Sequence, residues 1–313
     1  MSKFSRQLIC FLLSLVLLGG IVAVPAFAED SEQSGISNES LAFDKVELVG
    51  KTVTSEDAVT LMSTLSNNVL SNDYIEFAVD MSNGRFTIGT TGGNPDLSSD
   101  DNKKMLYGHS SPGTSYTTIN VDGTPYIYGD DGFVTAPYFS DESNISEAAF
   151  GNIRVQQVIS IVDNNSTLRD DVVEIKYIVT NEGTDATSFG LRIMMDTMLG
   201  SNDAAPFRIP GVGDVTTEME FSGENIPQYW QAFDSLTDPT VVSYGNFLSG
   251  SIHPNKVQFT NWSRVYNNSW NYSISEGSSN GDSAVSVIWE RTLAAGQTET
   301  YETRYGLSEL LQD

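Results

Sequence analysis

Residues 191–211 read LRIMMDTMLGSNDAAPFRIPG. An apolar run gives way to Asp196, and Asn202 and Asp203 follow beyond Gly200. Carboxylate and amide oxygens grouped in this way could hold a hard cation, since Ca²⁺ takes six to eight oxygen ligands. The spacing is not the D-x-[DN]-x-[DN]-G of an EF-hand loop. Two plainer readings compete. Asp and Asn favour loop starts because they hydrogen-bond their own backbone, and Asp196 could pair with Arg192 or Arg208 as a buried strut. The turn or strut is favoured, so the expectation is no cofactor, with Ca²⁺ at Asp196, Asn202 and Asp203 as a candidate that is not preferred. Asp100/Asp101, Asp130/Asp131 and Asp170/Asp171 lie between expected strands, where turns belong.

A second group is aromatic. Tyr229, Trp230 and Phe233 come from QYWQAF, and Phe259, Trp262, Tyr266, Trp270 and Tyr272 from FTNWSRVYNNSWNYSI, with Arg264 and several Asn interleaved. Sugars stack their C–H faces on aromatic rings while amides and guanidinium groups take their hydroxyls. Trp230, Trp262, Arg264, Tyr266 and Trp270 are therefore the candidate ligand-binding residues. The competing reading is a core: Trp270, Tyr272 and Ile274 alternate as residues on one strand face would.

Nothing specific points to catalysis, and no catalytic residue is expected. His109 and His253 read as loop residues and are too few for a His-based zinc site. No G-x-S-x-G elbow and no phosphate-binding lysine motif are present. With 41 acidic residues, chance carboxylate pairs are inevitable, so their abundance argues nothing.

The elements that must position these groups follow from the pattern. The first 28 residues have a basic start (Lys3, Arg6), an apolar core and an AFA sequence before Glu29, the layout of a cleaved secretory signal peptide. The expected location is secreted or at the cell surface, with no membrane span after cleavage. The only cysteine, Cys10, lies in that leader, so the mature chain is expected to lack disulfides. A formal charge of −25 disfavours nucleic acid and anionic lipid as partners. Residues 29–42 read as a polar, disordered lead-in. A helix is expected near 54–70, where Thr54 and Asp57 resemble a capping box and Ala58, Leu61, Met62, Leu65 and Val69 share a face.

From Tyr74 the period becomes two, in about a dozen segments rich in Val, Ile, Thr, Tyr and Phe. Hairpin turns are expected at VDGTP and NEGT. The fold class is all-β: a large antiparallel β-sandwich with supersandwich-like patterning and one N-terminal helix, in a single domain over 43–313.

The segments GNPDLSSDDNKKMLYGHSSPGTSYTTI, GLRIMMDTMLGSNDAAPFRIPG, NIPQYWQAFDSL and TNWSRVYN resemble a family of secreted bacterial surface β-sandwich proteins, over roughly residues 75–310. That family has no assigned activity, so the resemblance implies export and surface life and carries over no site residue. VVEIKYIVTNEGTDATSFGLRIMMDTML more weakly resembles the supersandwich strands of galactose mutarotases. The function expected is an exported, non-catalytic surface or matrix protein, with an extracellular glycan or cell-envelope component as candidate partner. The alternatives are a carbohydrate-active enzyme of supersandwich type and a structural scaffold or assembly subunit.

Overall fold

A computed structural model describes residues 46–48, 51–53 and 68–308. The expected leader, the lead-in and residues 54–67 of the expected helix lie outside these residues. The chain divides into two compact units, 1–67 and 68–313. In the first, β1 (Val46–Leu48) and β2 (Lys51–Val53) pair antiparallel, with Val46 opposite Val53. All that follows concerns the second.

Its elements are β3 (Val69–Ser71), β4 (Ile75–Val79), β5 (Phe86–Thr90), β6 (Tyr116–Val121), β7 (Thr124–Ile127), β8 (Thr135–Ser140), β9 (Ser143–Phe150), β10 (Ile153–Asn164), β11 (Arg169–Asn181), β12 (Thr187–Asp196), β13 (Phe207–Ile209), β14 (Gly213–Val215), β15 (Met219–Ser222), β16 (Tyr229–Phe233), β17 (Val242–Asn246), β18 (Lys256–Asn261), the short helix α1 (Trp262–Tyr266), β19 (Ser283–Leu293) and β20 (Thr298–Leu307). The protein is all-β, as its periodicity implied. Val69 and Leu70, the last residues of the expected helix, are instead extended in β3 and paired with β4.

Two large antiparallel sheets form the sandwich. One has nine strands in the order β14-β13-β16-β17-β20-β11-β10-β9-β8, the other six in the order β15-β18-β19-β12-β6-β7. β3, β4 and β5 form a third, smaller sheet. Alternation decides which side chains face inward. Val173, Ile175, Tyr177 and Val179 of β11 and Tyr301 and Tyr305 of β20 meet Leu191, Ile193 and Met195 of β12 and Val285, Val287 and Trp289 of β19 in one core. Rings bridge the layers: Phe189 lies 5.6 Å from Tyr301, and Phe259 lies 5.7 Å from Trp230. The Thr117 and Tyr177 hydroxyls bond across the layers at 2.5 Å, so those buried polar atoms are satisfied.

VDGTP makes the β6–β7 hairpin, with Asp122 and Gly123 both at positive φ, as a two-residue turn of matching twist requires. NEGT does not make a hairpin. β11 belongs to the nine-stranded sheet and β12 to the six-stranded one, so NEGT begins a crossover between layers. The β19-to-β20 connection crosses in the opposite sense. Asn181 clamps both. Its Nδ2 donates to the Asp185 and Leu293 carbonyls (2.8 and 3.0 Å), and its backbone exchanges hydrogen bonds with Gly296 and Gln297.

The outer strands of the two sheets share a character. β8 carries Pro137 and a register shift between Thr135 and Tyr138, and β7 carries Pro125. β14 has three residues and β15 four. The outer face of the six-stranded sheet is not bare: Tyr116, Met194, Val265 and Ala284 form a second small cluster there, with Trp262 and Tyr272 packed on it.

Candidate functional site

The nine-stranded sheet carries a polar outer row. Strand register places Tyr229, Asn246, Arg304, Glu174 and Ser160 side by side across five strands. Directly paired residues project to the same face, so these side chains form one surface. Arg304 grips Glu174 Oε2 through Nε and Nη2 at 3.2 and 2.9 Å, while Lys176 Nζ bonds Glu174 Oε1. Burial alone would raise the Glu174 carboxyl, but its bonds to Lys176 and Arg304 outweigh it and hold the group below its ordinary range.

At the end of this row the rings of Tyr229 and Tyr244 stack at 5.8 Å with 28° between planes. The Asn246 amide donates to the Tyr244 hydroxyl at 3.1 Å, which fixes that ring. Asp163, Asn165, Ser166, Tyr244, Asn246 and Arg304 line a pocket of about 60 Å³ beside it. Arg304 spends two of its five N–H donors on Glu174. An aromatic face, amides and a propped guanidinium thus meet at one place.

Glu302 adds a second carboxylate. Arg304 and Glu302 are two apart on β20 and so share the outer face, with Glu302 opposite Lys176 and diagonal to Glu174. Burial, reinforced by the Glu174 charge, raises the Glu302 carboxyl.

The opening stretch of the sequence builds a different cluster. Asp196 ends β12, and β19 pairs with it so that Ala284 stands opposite Asp196. Asp282 immediately precedes β19, and Asp203 lies in the loop after β12. The carboxylates of Asp196, Asp203 and Asp282 converge, with one oxygen of each within 4.8 Å of the others. Burial pushes Asp196 up to about 8, with the Asp282 and Asp203 charges adding to it. Burial and then Asp203 push Asp282 up to about 6. Asp203 is raised by burial and drawn back by Lys104.

Asn202 lies in the same loop; its Nδ2 donates to the Asp234 carbonyl and its Oδ1 accepts from Ala204 N, so its side chain shapes the loop. The buried-strut reading of Asp196 does not hold. Arg192 instead donates to the Asn268 carbonyl and the Tyr116 and Thr118 hydroxyls, and Arg208 pairs with Asp214 at 2.7 Å.

The aromatic candidates separate. Trp230 is fully buried, stacked at 5.1 Å on Tyr305 and at 6.0 Å on Phe247, and offers no face to a ligand. Trp270 is half-buried and seated on Gly190, where a Cβ would come within 2.3 Å of its ring. Trp262 and Tyr266 pack together at 4.6 Å, Trp262 half-buried and bonded through Nε1 to the Thr114 carbonyl, Tyr266 exposed. Arg264 pairs with Glu218 at 3.1 Å. Trp270, Tyr272 and Ile274, whose alternation could have been one strand face, lie instead in an irregular segment between α1 and β19. His109 is paired with Glu76 at 2.5 Å.

No protein-family model matches the chain, and no curated protein matches it. Among solved structures it is similar to a polysaccharide lyase at 16% identity and a TM-score of 0.44, over 76% of this chain and 33% of that one. It is also similar to a putative aldose 1-epimerase from Escherichia coli K12 (11%, TM-score 0.47, 78% and 99%). A galactose mutarotase-like protein from Lactobacillus casei gives 9%, a TM-score of 0.47, and 77% and 99%. The chain thus spans about a third of the lyase and nearly the whole length of the other two. No residue role is carried over from any of them. Among the described residues, no helix is long and apolar enough to cross a membrane.

Sequence reasoning missed the outer row and Asp282. Glu174, Glu302 and Arg304 lie on the face of β11 and β20 opposite Tyr177 and Tyr305. What brings Tyr244 and Asn246 beside them is strand order, which alternation does not encode.

Proposed function

We propose that the protein is an exported, non-catalytic, carbohydrate-binding β-sandwich, with its site on the outer face of the nine-stranded sheet. The observation that supports this is the stacked Tyr229–Tyr244 pair set against Asn246 and the Glu174-propped Arg304, at the mouth of the pocket. A sugar ring lies on the tyrosines, and its hydroxyls take the amide and guanidinium donors. A neutral glycan fits best. The whole chain is strongly acidic and would repel a polyanion, and Glu174 already balances one of the two local cations. Export rests on the leader sequence. The test is a pull-down on insoluble neutral polysaccharides and a glycan array. Wild type binds, while Tyr244→Ala and Arg304→Ala lose at least ~10-fold in affinity with unchanged far-UV CD, a loss of about 1.4 kcal/mol. Binding left intact in both variants sinks the assignment.

A second reading has its own support. Glu302 and Glu174 are neighbouring carboxylates displaced in opposite directions, the arrangement that assigns an acid and a base. In this reading the site works on the sugar by proton transfer. Polarimetry of anomer interconversion and assay of reducing-end release, each compared with Glu302→Gln, decide it. No rate above that of the variant on any sugar removes this reading.

A further inference from the structure

We propose that Asp196, Asp203 and Asp282 form a divalent-cation site that takes Ca²⁺. The site lies apart from the glycan face, at the end of the six-stranded sheet. Its three carboxylates come from the end of β12, the loop after it and the residue before β19, and one oxygen of each lies within 4.8 Å of the others. At a Ca–O distance of about 2.4 Å, oxygens on opposite sides of an ion stand about 4.8 Å apart. Separations within that limit are compatible with one ion shared by all three.

Proximity of acids alone would not carry this; the unmet oxygens do. Asp196 is 2% exposed, and its Oδ1 and that of Asp203 are buried with no hydrogen-bond partner. A buried carboxylate oxygen with nothing to accept is costly, and buried charges are ordinarily paired or bound to metal. The nearby cation, Lys104, acts on Asp203, and one ammonium does not balance three carboxylates.

The frame around the gap is rigid. Tyr107 N donates to the Asp196 carbonyl at 2.9 Å, Ser283 N to that of Asp203 at 2.9 Å and Trp262 N to that of Asp282 at 2.6 Å. Each of these carbonyls already accepts a hydrogen bond, whereas Asp196 and Asp203 each keep an unpartnered carboxylate oxygen. The Thr114 hydroxyl beside Asp196 offers another oxygen. An all-oxygen set selects hard cations. Donors from three chain segments make an irregular cage, which suits Ca²⁺ better than the octahedral demand of Mg²⁺.

The experiment is thermal unfolding of the purified wild type, Asp196→Asn and Asp282→Asn. Each is measured in EDTA, in millimolar CaCl₂, in millimolar MgCl₂, and in NaCl at matched ionic strength. CaCl₂ is expected to raise the wild-type Tm by about 3 °C beyond MgCl₂ or NaCl, and the increment is lost in both variants. In EDTA the variants should melt at or above wild type, because each removes one of three crowded charges. Equal shifts from CaCl₂, MgCl₂ and NaCl overturn the proposal, as does a calcium increment that survives in both variants. Should the variants fold poorly, equilibrium dialysis of wild type with radiocalcium decides: one ion per chain is expected, and none refutes the site.

Discussion

The Tyr272 hydroxyl lies 2.9 and 2.8 Å from the two carboxylate oxygens of Glu218, and ties the irregular segment after α1 back to the six-stranded sheet. Glu218 is buried, and it also accepts from Thr260 Oγ1, Asn261 N and Ser275 N and pairs with Arg264. Burial would raise this carboxyl, but the bonds from Ser275, Thr260, Tyr272 and Asn261 prevail and lower it. Its contribution to stability is therefore full above its unfolded value near 4.5 and is lost as pH falls through the lower folded value. Wild type should lose stability across that acid window more steeply than Glu218→Gln, while Glu218→Ala should cost about 3 kcal/mol at neutral pH by leaving the Thr260 hydroxyl and the Asn261 and Ser275 N–H groups without their acceptor. Urea melts across pH check this; parallel pH curves for wild type and Glu218→Gln would refute it.

Trp270 and Gly190 fit together because glycine has no Cβ to meet the indole. Gly190→Ala should destabilise by about 2 kcal/mol through overpacking. The double variant Gly190→Ala/Trp270→Ala should cost less than the two single changes summed, since removing the ring removes the clash. Strict additivity in denaturant melts would show the two do not touch.

Asn181 predicts a long-range effect from a small change. Asn181→Ala should cost about 2 kcal/mol, since the Asp185 and Leu293 carbonyls both lose their donor. Hydrogen exchange should accelerate in both crossovers, although they lie far apart in sequence. Faster exchange at only one would contradict the clamp.

Tyr229 and Trp230 are neighbours with opposite fates, and the contrast tests the site assignment. Trp230→Ala should lose about 4 kcal/mol of stability by hollowing the core. Tyr229→Ala should change stability by no more than about 0.5 kcal/mol yet weaken glycan binding. Chemical denaturation and glycan pull-down on the same two variants separate these outcomes.

That pair also shows what the sequence made legible. Period two and β-branched composition marked the segments that become β4, β5, β10, β11, β12, β19 and β20. Where a short strand carries aromatic residues on both faces, as Tyr229, Trp230 and Phe233 do in β16, alternation does not say which ring faces inward. NEGT has the composition of a hairpin turn, but a crossover between layers needs the same backbone freedom, so composition cannot tell them apart. β8 escaped notice because Pro137 breaks its pattern, and β9 because two of its inward residues, Asn144 and Ser146, are polar yet buried. Asp196 and Asp203 were visible as a pair, whereas Asp282 joins them only through the pairing of β12 with β19.

The outer strands described above bear on how copies of this protein can associate. An exposed sheet margin is a template for adding another strand. Here, among the described residues, β7 and β8 each present a proline, β8 also a slipped register, and β14 and β15 are too short to template a long ladder. Fibre growth by strand donation, and with it a pilus-like scaffold made of this unit alone, is disfavoured at all four margins. Crowded together, such molecules would repel one another through their net acidic charge and meet other macromolecules face-on.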